Sequence, residues 1–184
     1  MNIKPTRDLY YLIAIALLIA FSAQMYYSHA YLPMQIDARV YYNHDVAANK
    51  QIIQTVREAH QYVYFAIYTF TRDDIADALV AAKERGLEVK GLTDKKQVAE
   101  IGAQKNIVKK LNAAGIPVAT QDHSAIMHVK TVVTDNGYVS GSYNWTAAAT
   151  DSNDEVIEVG HDEAIRKQYE RVLRELFARY GPSS

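Results

Sequence analysis

The residues with the clearest chemical potential in this 184-residue chain are His128 and Lys130, which stand two positions apart. On a β-strand, side chains at that spacing leave the same face, so both can converge on one substrate group. An unprotonated imidazole can attack phosphorus, while an ammonium group holds the non-bridging oxygens as charge redistributes. The pair therefore suits the cleavage of a phosphodiester.

A longer motif surrounds this pair. Asp135 follows Lys130 after four intervening residues, and Gly141-Ser142-Tyr143-Asn144 begins after five more. The stretch HVKTVVTD followed by GSYN resembles the HKD signature of the phospholipase D superfamily, which is His-x-Lys-x4-Asp with a downstream Gly-Ser-x-Asn. The resemblance extends over Val40 to Tyr180, and within the superfamily the likeness is to short bacterial endonucleases that carry one motif per chain.

The resemblance implies roles for the polar residues of this motif. His128 matches the position that forms a covalent phosphohistidine, and Lys130 matches the phosphate-binding lysine. Ser142 and Asn144 match hydrogen-bond donors that line the same phosphate site. The family pattern usually has six residues between its aspartate and its glycine, whereas this chain has five. We therefore expect the intervening turn to be one residue shorter.

Two acidic residues complete the set of catalytic candidates. Glu155, eleven residues after Asn144, matches an acidic residue that orients the histidine. A carboxylate that accepts a hydrogen bond from one ring nitrogen fixes the tautomer and leaves the other nitrogen free to attack. Asp135 belongs to the motif by name, although an aspartate directly before Asn136-Gly137 also suits a turn.

The sequence offers no pattern for a metal site or a cofactor. The chain has no cysteine, which excludes thiolate nucleophiles, disulfides and Cys-type zinc sites. The other histidines of the domain show no metal-ligand spacing such as His-Glu-x-x-His; they are His44, His60, His123 and His161. We therefore expect no metal and no cofactor, as the resemblance also implies.

The overall charge limits how a nucleic acid can be bound. With 20 Lys and Arg against 21 Asp and Glu, the formal net charge is -1, so any phosphate recognition has to be local. Most lysines of the central region are interpreted as a solvated surface. Lys95 and Lys96, which follow Thr93-Asp94 at the end of a predicted strand, are the candidates for a cleft.

The N-terminal segment has the layout of an export signal. Residues Leu9 to Ala23 carry no charge and follow Lys4 and Arg7. Ser28-His29-Ala30 then offers a cleavage site, which predicts a mature chain that begins at Tyr31. The domain would then be periplasmic or secreted.

An uncleaved membrane anchor is the alternative. The apolar residues 9–27 number 19, close to the ~20 that a membrane-spanning helix needs. Residues 1–30 are thus predicted to be a signal peptide or an anchor, and residues 31–184 a phosphodiesterase domain. Both interpretations place this domain outside the cytoplasm.

From Ile36 onward, strand and helix patterns alternate. The predicted strands are Ile36–Tyr42, Tyr62–Tyr68, Leu87–Leu92 and Ile116–Ala119, and the helices between them cover Val46–Ala59, 71–86 and 98–115. This βαβαβ order predicts parallel pairing. Later short runs predict antiparallel additions and a last helix: Val129–Thr134, Tyr138–Ser140, Val156–Val159 and Glu163–Tyr180. We expect an α/β fold with a mixed, largely parallel central sheet and helices on both faces, a phospholipase D/nuclease-like sandwich.

The motif and its resemblance favour a metal-independent phosphodiesterase, an endonuclease that cuts DNA or RNA through a phosphohistidine. Two alternatives stay open: a phospholipase D-type lipid hydrolase, and a catalytically silent, membrane-tethered module that binds nucleic acid. A membrane is a partner only if the N-terminal segment stays uncleaved. One imidazole must attack unprotonated while a second, protonated group donates to the leaving oxygen, and the chain has one motif. We therefore predict a homodimer with a composite active site.

Overall fold

A computed structural model of the chain describes residues 7–30 and 36–181. The N-terminal unit ends at Ile36 and contains one helix, α1 (Arg7–Ala30). Its Arg7–Tyr27 part has a mean hydropathy of 1.8 and is long and apolar enough to cross a bilayer. The same length and composition suit an export signal. The predicted first residue after cleavage, Tyr31, lies outside the described residues.

The second unit begins at Asp37 and contains the remaining elements. Its strands are β1 (Ala38–Tyr42), β2 (Tyr62–Ile67), β3 (Glu88–Thr93), β4 (Val118–Thr120), β5 (Lys130–Thr134), β6 (Tyr138–Gly141) and β7 (Val156–Gly160). Its helices are α2 (Ala48–Arg57), α3 (Asp73–Glu84), α4 (Lys95–Glu100), α5 (Gly102–Ala113), α6 (Ala147–Asp151) and α7 (Glu163–Tyr180). The single helix predicted over 98–115 is therefore two helices, which are separated at Ile101.

The seven described strands form one mixed sheet in the order β1-β7-β6-β5-β2-β3-β4. Only β2 with β3 and β3 with β4 pair in parallel, and the other four pairings are antiparallel. The prediction of a largely parallel sheet is therefore wrong. Five strands do point the same way, but β5 and β7 run opposite and lie between them. Strand β1 precedes β2 in the predicted βαβ order and was expected to pair with it in parallel. It is instead an edge strand of the sheet and pairs with β7.

Helices cover both faces of this sheet, as predicted. Strand β2 is buried along its whole length, so its alternate side chains serve two cores. Val63, Phe65 and Ile67 face the core that contains residues of α2, α3 and α5. Tyr64 and the other alternating residues of β2 face α7, where Leu173 is buried.

Candidate active site

The site forms where five strand ends meet at one edge of the sheet. Strands β2, β3 and β6 end at this edge, and β5 and β7 begin there because they run in the opposite direction. The register places Ile67 opposite Lys130 and Gly141 opposite Ile157. Residues far apart in sequence are thereby brought together just beyond the strands.

His128 and Lys130 both contact the Tyr68 ring. The exposed His128 imidazole contacts that ring edge-on, with centroids 4.8 Å apart. The Lys130 ammonium lies 5.4 Å from the same centroid and donates a 3.1 Å hydrogen bond to the His128 carbonyl. The Tyr68 backbone N–H donates to the Val129 carbonyl at 2.9 Å, which fixes the ring beside the motif. Tyr68 was not among the residues predicted from sequence.

Lys130 is a buried cation without a carboxylate partner. Lys130 is 7% exposed, and its ammonium group makes no ion pair within residues 7–30 and 36–181. Burial lowers the pKa of Lys130, and the negative charge of Glu155 partly opposes this shift. An ammonium in this state gains from contact with an anion such as a phosphate.

Glu155 and Ser142 form a second part of the cluster. The Ser142 hydroxyl donates to the Glu155 carboxylate and accepts a 3.1 Å hydrogen bond from the Val156 N–H. The Asn153 amide donates to the other carboxylate oxygen at 3.2 Å, and the Glu155 N–H donates to Asn43 at 3.0 Å. In the described part of the chain, Glu155 thus contacts Ser142 and has no hydrogen bond with the His128 imidazole.

Gly141 and Asn144 complete the Gly-Ser-x-Asn segment. A β-carbon at Gly141 would lie 2.1 Å from the Val156 carbonyl oxygen, so the passage of β7 requires glycine there. The half-buried Asn144 accepts a 3.3 Å hydrogen bond from the Thr69 N–H through Oδ1, which leaves its amide N–H groups available to a ligand. With the short turn after Asp135, β5 and β6 still pair so that Thr131 lies opposite Ser140. The Gly-Ser-x-Asn segment therefore follows β6 at the edge where β5 begins.

Asp135 lies at the other end of β5, about 16 Å along the strand from Lys130. Its carboxylate accepts hydrogen bonds from the His60 and Gln61 N–H groups at 3.0 and 3.1 Å. Burial alone would raise its pKa, but backbone N–H donors, led by that of Gln61, lower the pKa of Asp135 below its usual value. The structure therefore does not bring Asp135 to the cluster around His128.

Asp94 is a buried residue of this edge that the sequence reasoning passed over. Its carboxylate accepts from the Gln97 N–H, the Gln121 side-chain amide and the Met127 N–H at 2.9, 2.7 and 2.9 Å. Burial opposes ionisation, yet these donors, led by the Met127 N–H, lower the pKa of Asp94. The carboxylate thus holds the residue directly before His128. The sequence indicated Asp94 only through its position directly after β3, because the last residue of β3 lies beside the last residue of β2.

Lys95 and Lys96 line a groove beside this edge, although they form the first turn of α4 and not a loop. The groove has a volume of about 470 Å³ and extends along residues 121–126. Among the described residues, no three histidine, aspartate or glutamate side chains converge as metal ligands would. The edge therefore presents an imidazole, one buried ammonium, hydroxyl and amide donors, and an adjoining cationic groove.

Comparison with protein families gives one match over most of the domain. A family model described as "Cardiolipin synthase, PLD-like domain" matches residues 52–177. Among curated proteins, the mitochondrial cardiolipin hydrolase of Xenopus tropicalis is 31% identical over 142 residues, which cover 77% of this chain and 66% of that protein. The phospholipase D of Rickettsia typhi is 29% identical over 136 residues, which cover 73% and 64%. This chain thus spans slightly less than two thirds of these relatives.

Two solved bacterial structures share the fold over nearly their whole length. The phospholipase D family member Nuc from Salmonella typhimurium superimposes with a TM-score of 0.71 at 26% identity, over 78% of this chain and 95% of that chain. NucT from Helicobacter pylori gives a TM-score of 0.71 at 21% identity, over 79% and 98%. The first combines fold with sequence similarity, and the second is a likeness of fold alone.

Proposed function

Since this chain belongs to the phospholipase D superfamily, we propose that it is a phosphodiester hydrolase and acts as an endonuclease that cleaves DNA or RNA without a metal ion. The observation that carries this proposal is the exposed His128 imidazole beside the buried Lys130 ammonium at an open sheet edge. The sugar–phosphate backbone of a nucleic acid strand can reach a nucleophile in that position. The likeness of the motif to short bacterial endonucleases supports the same substrate class.

In the proposed reaction, an imidazole nitrogen of His128 attacks phosphorus and forms a nitrogen–phosphorus bond. The bond from phosphorus to the leaving oxygen breaks, and that oxygen takes a proton. Lys130, Ser142 and Asn144 hold the non-bridging oxygens while the charge on them grows. Water then attacks the phosphohistidine, releases the phosphate monoester and restores the free imidazole.

The other two candidates act through neighbouring groups in this proposal. Glu155 fixes the Ser142 hydroxyl, and its charge moderates the lowered pKa of Lys130. Its orienting role toward an imidazole stays part of the proposal for the assembled site. Asp135 anchors the chain before β2 at the opposite edge.

The need for a group that donates a proton to the leaving oxygen is the reason that we propose a homodimer. The chain carries one copy of the motif, so in this proposal the second, protonated group comes from the motif of a second chain. A two-fold axis next to His128 would give a homodimer with one composite active site. In a purified mixed dimer of wild type and His128→Ala, we expect almost no activity. Half-normal activity would contradict the shared site.

A phospholipid hydrolase is the second candidate. The relatives that support it are the cardiolipin hydrolases and the phospholipase D of Rickettsia typhi. The apolar helix α1 also favours it, because an uncleaved anchor over residues 9–27 would keep the domain at a membrane. With cleavage, the domain is proposed to be periplasmic or secreted, and in both cases it lies outside the cytoplasm.

The test uses the full chain in detergent with EDTA present throughout. Supercoiled plasmid, an RNA oligonucleotide, and vesicles of phosphatidylcholine or cardiolipin are compared, with His128→Asn as the matched inactive control. We expect nicked or fragmented nucleic acid from the wild type alone. Hydrolysis of lipid only would establish the second candidate, and retention of DNA without fragments would indicate a silent binding module. Activity that disappears with EDTA and returns with a divalent ion would contradict the metal-independent mechanism.

A further inference from the structure

A groove of about 470 Å³ lies next to the proposed active site. Its lining comes from the start of α4 and from the loop that leads to His128: Asp94, Lys95, Lys96, Ala99, Gln121, Asp122, His123, Ser124, Ala125 and Ile126. The mechanism proposed above uses none of the groove's exposed side chains. The groove is therefore a surface without an assigned task, and the loop that lines it leads through Met127 to His128.

Buried hydrogen bonds fix the two walls of this groove to each other. Gln121, which is 3% exposed, donates to the Asp94 carboxylate at 2.7 Å and accepts from the Lys95 N–H at 2.9 Å. The same Asp94 carboxylate accepts from the Met127 N–H at 2.9 Å. Because Met127 is bonded to His128, a group held in the groove has a defined position relative to the nucleophile.

The exposed charge of the groove is mainly positive. Lys95 is exposed and makes no ion pair within the described residues, and Lys96 makes only a 3.8 Å contact with the exposed Glu100. Such an exposed pair contributes little. Asp94 is fully buried and already holds three donors, so Asp122 is the one acidic lining residue that reaches solvent.

We propose that this groove binds the phosphate next to the scissile phosphate in a nucleic acid strand, with Lys95 and Lys96 as its ligands. The inference rests on the proposed function, since it names how the same site holds a polymer. A strand carries phosphates in series, so one can lie at His128 while its neighbour lies in the groove. Three of the lining side chains are apolar, those of Ala99, Ala125 and Ile126, whereas the exposed ammonium groups of the two lysines suit an anion.

The test separates binding in the groove from chemistry at His128. Lys95→Ala/Lys96→Ala is compared with Lys105→Ala/Lys109→Ala, which removes two exposed lysines from α5. Affinity for a fluorescent single-stranded DNA oligonucleotide is measured by anisotropy in the His128→Asn background at several salt concentrations. Hydrolysis of the oligonucleotide and of bis(p-nitrophenyl) phosphate is measured with His128 intact.

We expect the groove variant to bind the oligonucleotide about tenfold more weakly and to lose about one unit of salt slope. Its kcat/KM for bis(p-nitrophenyl) phosphate, which has no neighbouring phosphate, should stay within about twofold. The α5 control should match the wild type on both substrates. Thermal unfolding of each variant confirms that the domain is intact.

Several results would overturn this assignment: unchanged oligonucleotide affinity, an equal loss in the α5 control, or an equal loss on the small diester. A loss confined to cardiolipin vesicles would assign the groove to a lipid and also overturn it. The anisotropy measurement does not depend on turnover. Weaker binding by the groove variant, together with a wild type that cleaves neither substrate, would support the groove and refute the nuclease.

Discussion

The two ends of strand β5 carry parts of one sequence motif but have opposite physical character. At its start, the Lys130 ammonium is buried, has a lowered pKa and donates to a neutral carbonyl. Just past its end, the Asp135 carboxylate accepts two backbone N–H groups and has a lowered pKa that favours its charged form. The Lys130 ammonium has no ion-pair partner among the described residues and is open to a ligand, whereas the Asp135 carboxylate is stabilised in its charged form by backbone hydrogen bonds.

This contrast shows that neighbours in a motif need not share a task. A strand of five residues separates side chains by more than the width of a phosphate site. Residues at positions 128 and 130 can therefore act on one group, and residue 135 cannot reach it. We propose that the motif combines a reacting end, at His128 and Lys130, with an anchoring end at Asp135, and substitutions at each end should affect different measurements.

The largest effect is expected at the reacting end. His128→Asn keeps the approximate volume of the side chain but cannot form the phosphohistidine, so turnover should fall by on the order of 10⁴-fold or more. Because the imidazole is exposed, the midpoint of thermal unfolding should hardly change. Cleavage of plasmid and the midpoint are measured on the same preparation. Retained turnover would place the nucleophile elsewhere.

Lys130→Met should reduce kcat by about 10²- to 10³-fold, because it removes the cation that stabilises charge on the phosphate oxygens. Activity of the wild type should decline as pH rises through the lowered pKa of Lys130, below the ordinary value of 10.5. Lys130→Arg keeps a charge at every accessible pH. Its residual activity should therefore extend to higher pH, and an unchanged alkaline limb would argue against Lys130 as the titrating group.

At the anchoring end, Asp135→Ala should change stability rather than chemistry. Two backbone N–H groups would lose their charged acceptor, which should lower the free energy of unfolding by about 2 kcal/mol. Urea unfolding can be followed by the fluorescence of the single tryptophan, Trp145, which is 2% exposed. Turnover per folded molecule should stay within about twofold. A large loss of kcat with unchanged stability would return Asp135 to the catalytic residues.

The pH dependence of that difference has a definite sign. The folded-state pKa of Asp135 lies below 3.8, so its stabilising contribution is complete above that value and is lost as pH falls through the folded pKa. The stability gap between wild type and Asp135→Ala should therefore narrow in that acidic range. A gap that stays constant would separate the stability loss from the ionisation of this carboxyl.

The closeness of His128 and Lys130 was predictable from sequence because the two residues lie two positions apart along the chain. The architecture was less so, since strand order depends on contacts such as Ala38 with Gly160 that local periodicity does not encode. The helix pattern likewise continues past Ile101, where the structure breaks it.

Tyr68 was missed because its contacts with His128 and Lys130 join residues that are far apart in sequence. It provides the smallest and most discriminating prediction. Its ring contacts both His128 and Lys130, whereas its hydroxyl accepts a 3.1 Å hydrogen bond from the Gln97 amide. Tyr68→Phe keeps the ring and removes only the hydroxyl, so kcat should fall about two- to threefold with KM unchanged. Tyr68→Ala removes the surface against which the imidazole rests, and its loss of kcat should be at least several times larger. Equal effects of the two substitutions would show that the Gln97 hydrogen bond positions His128, whereas no effect of either would mean that the backbone alone holds the reacting end in place.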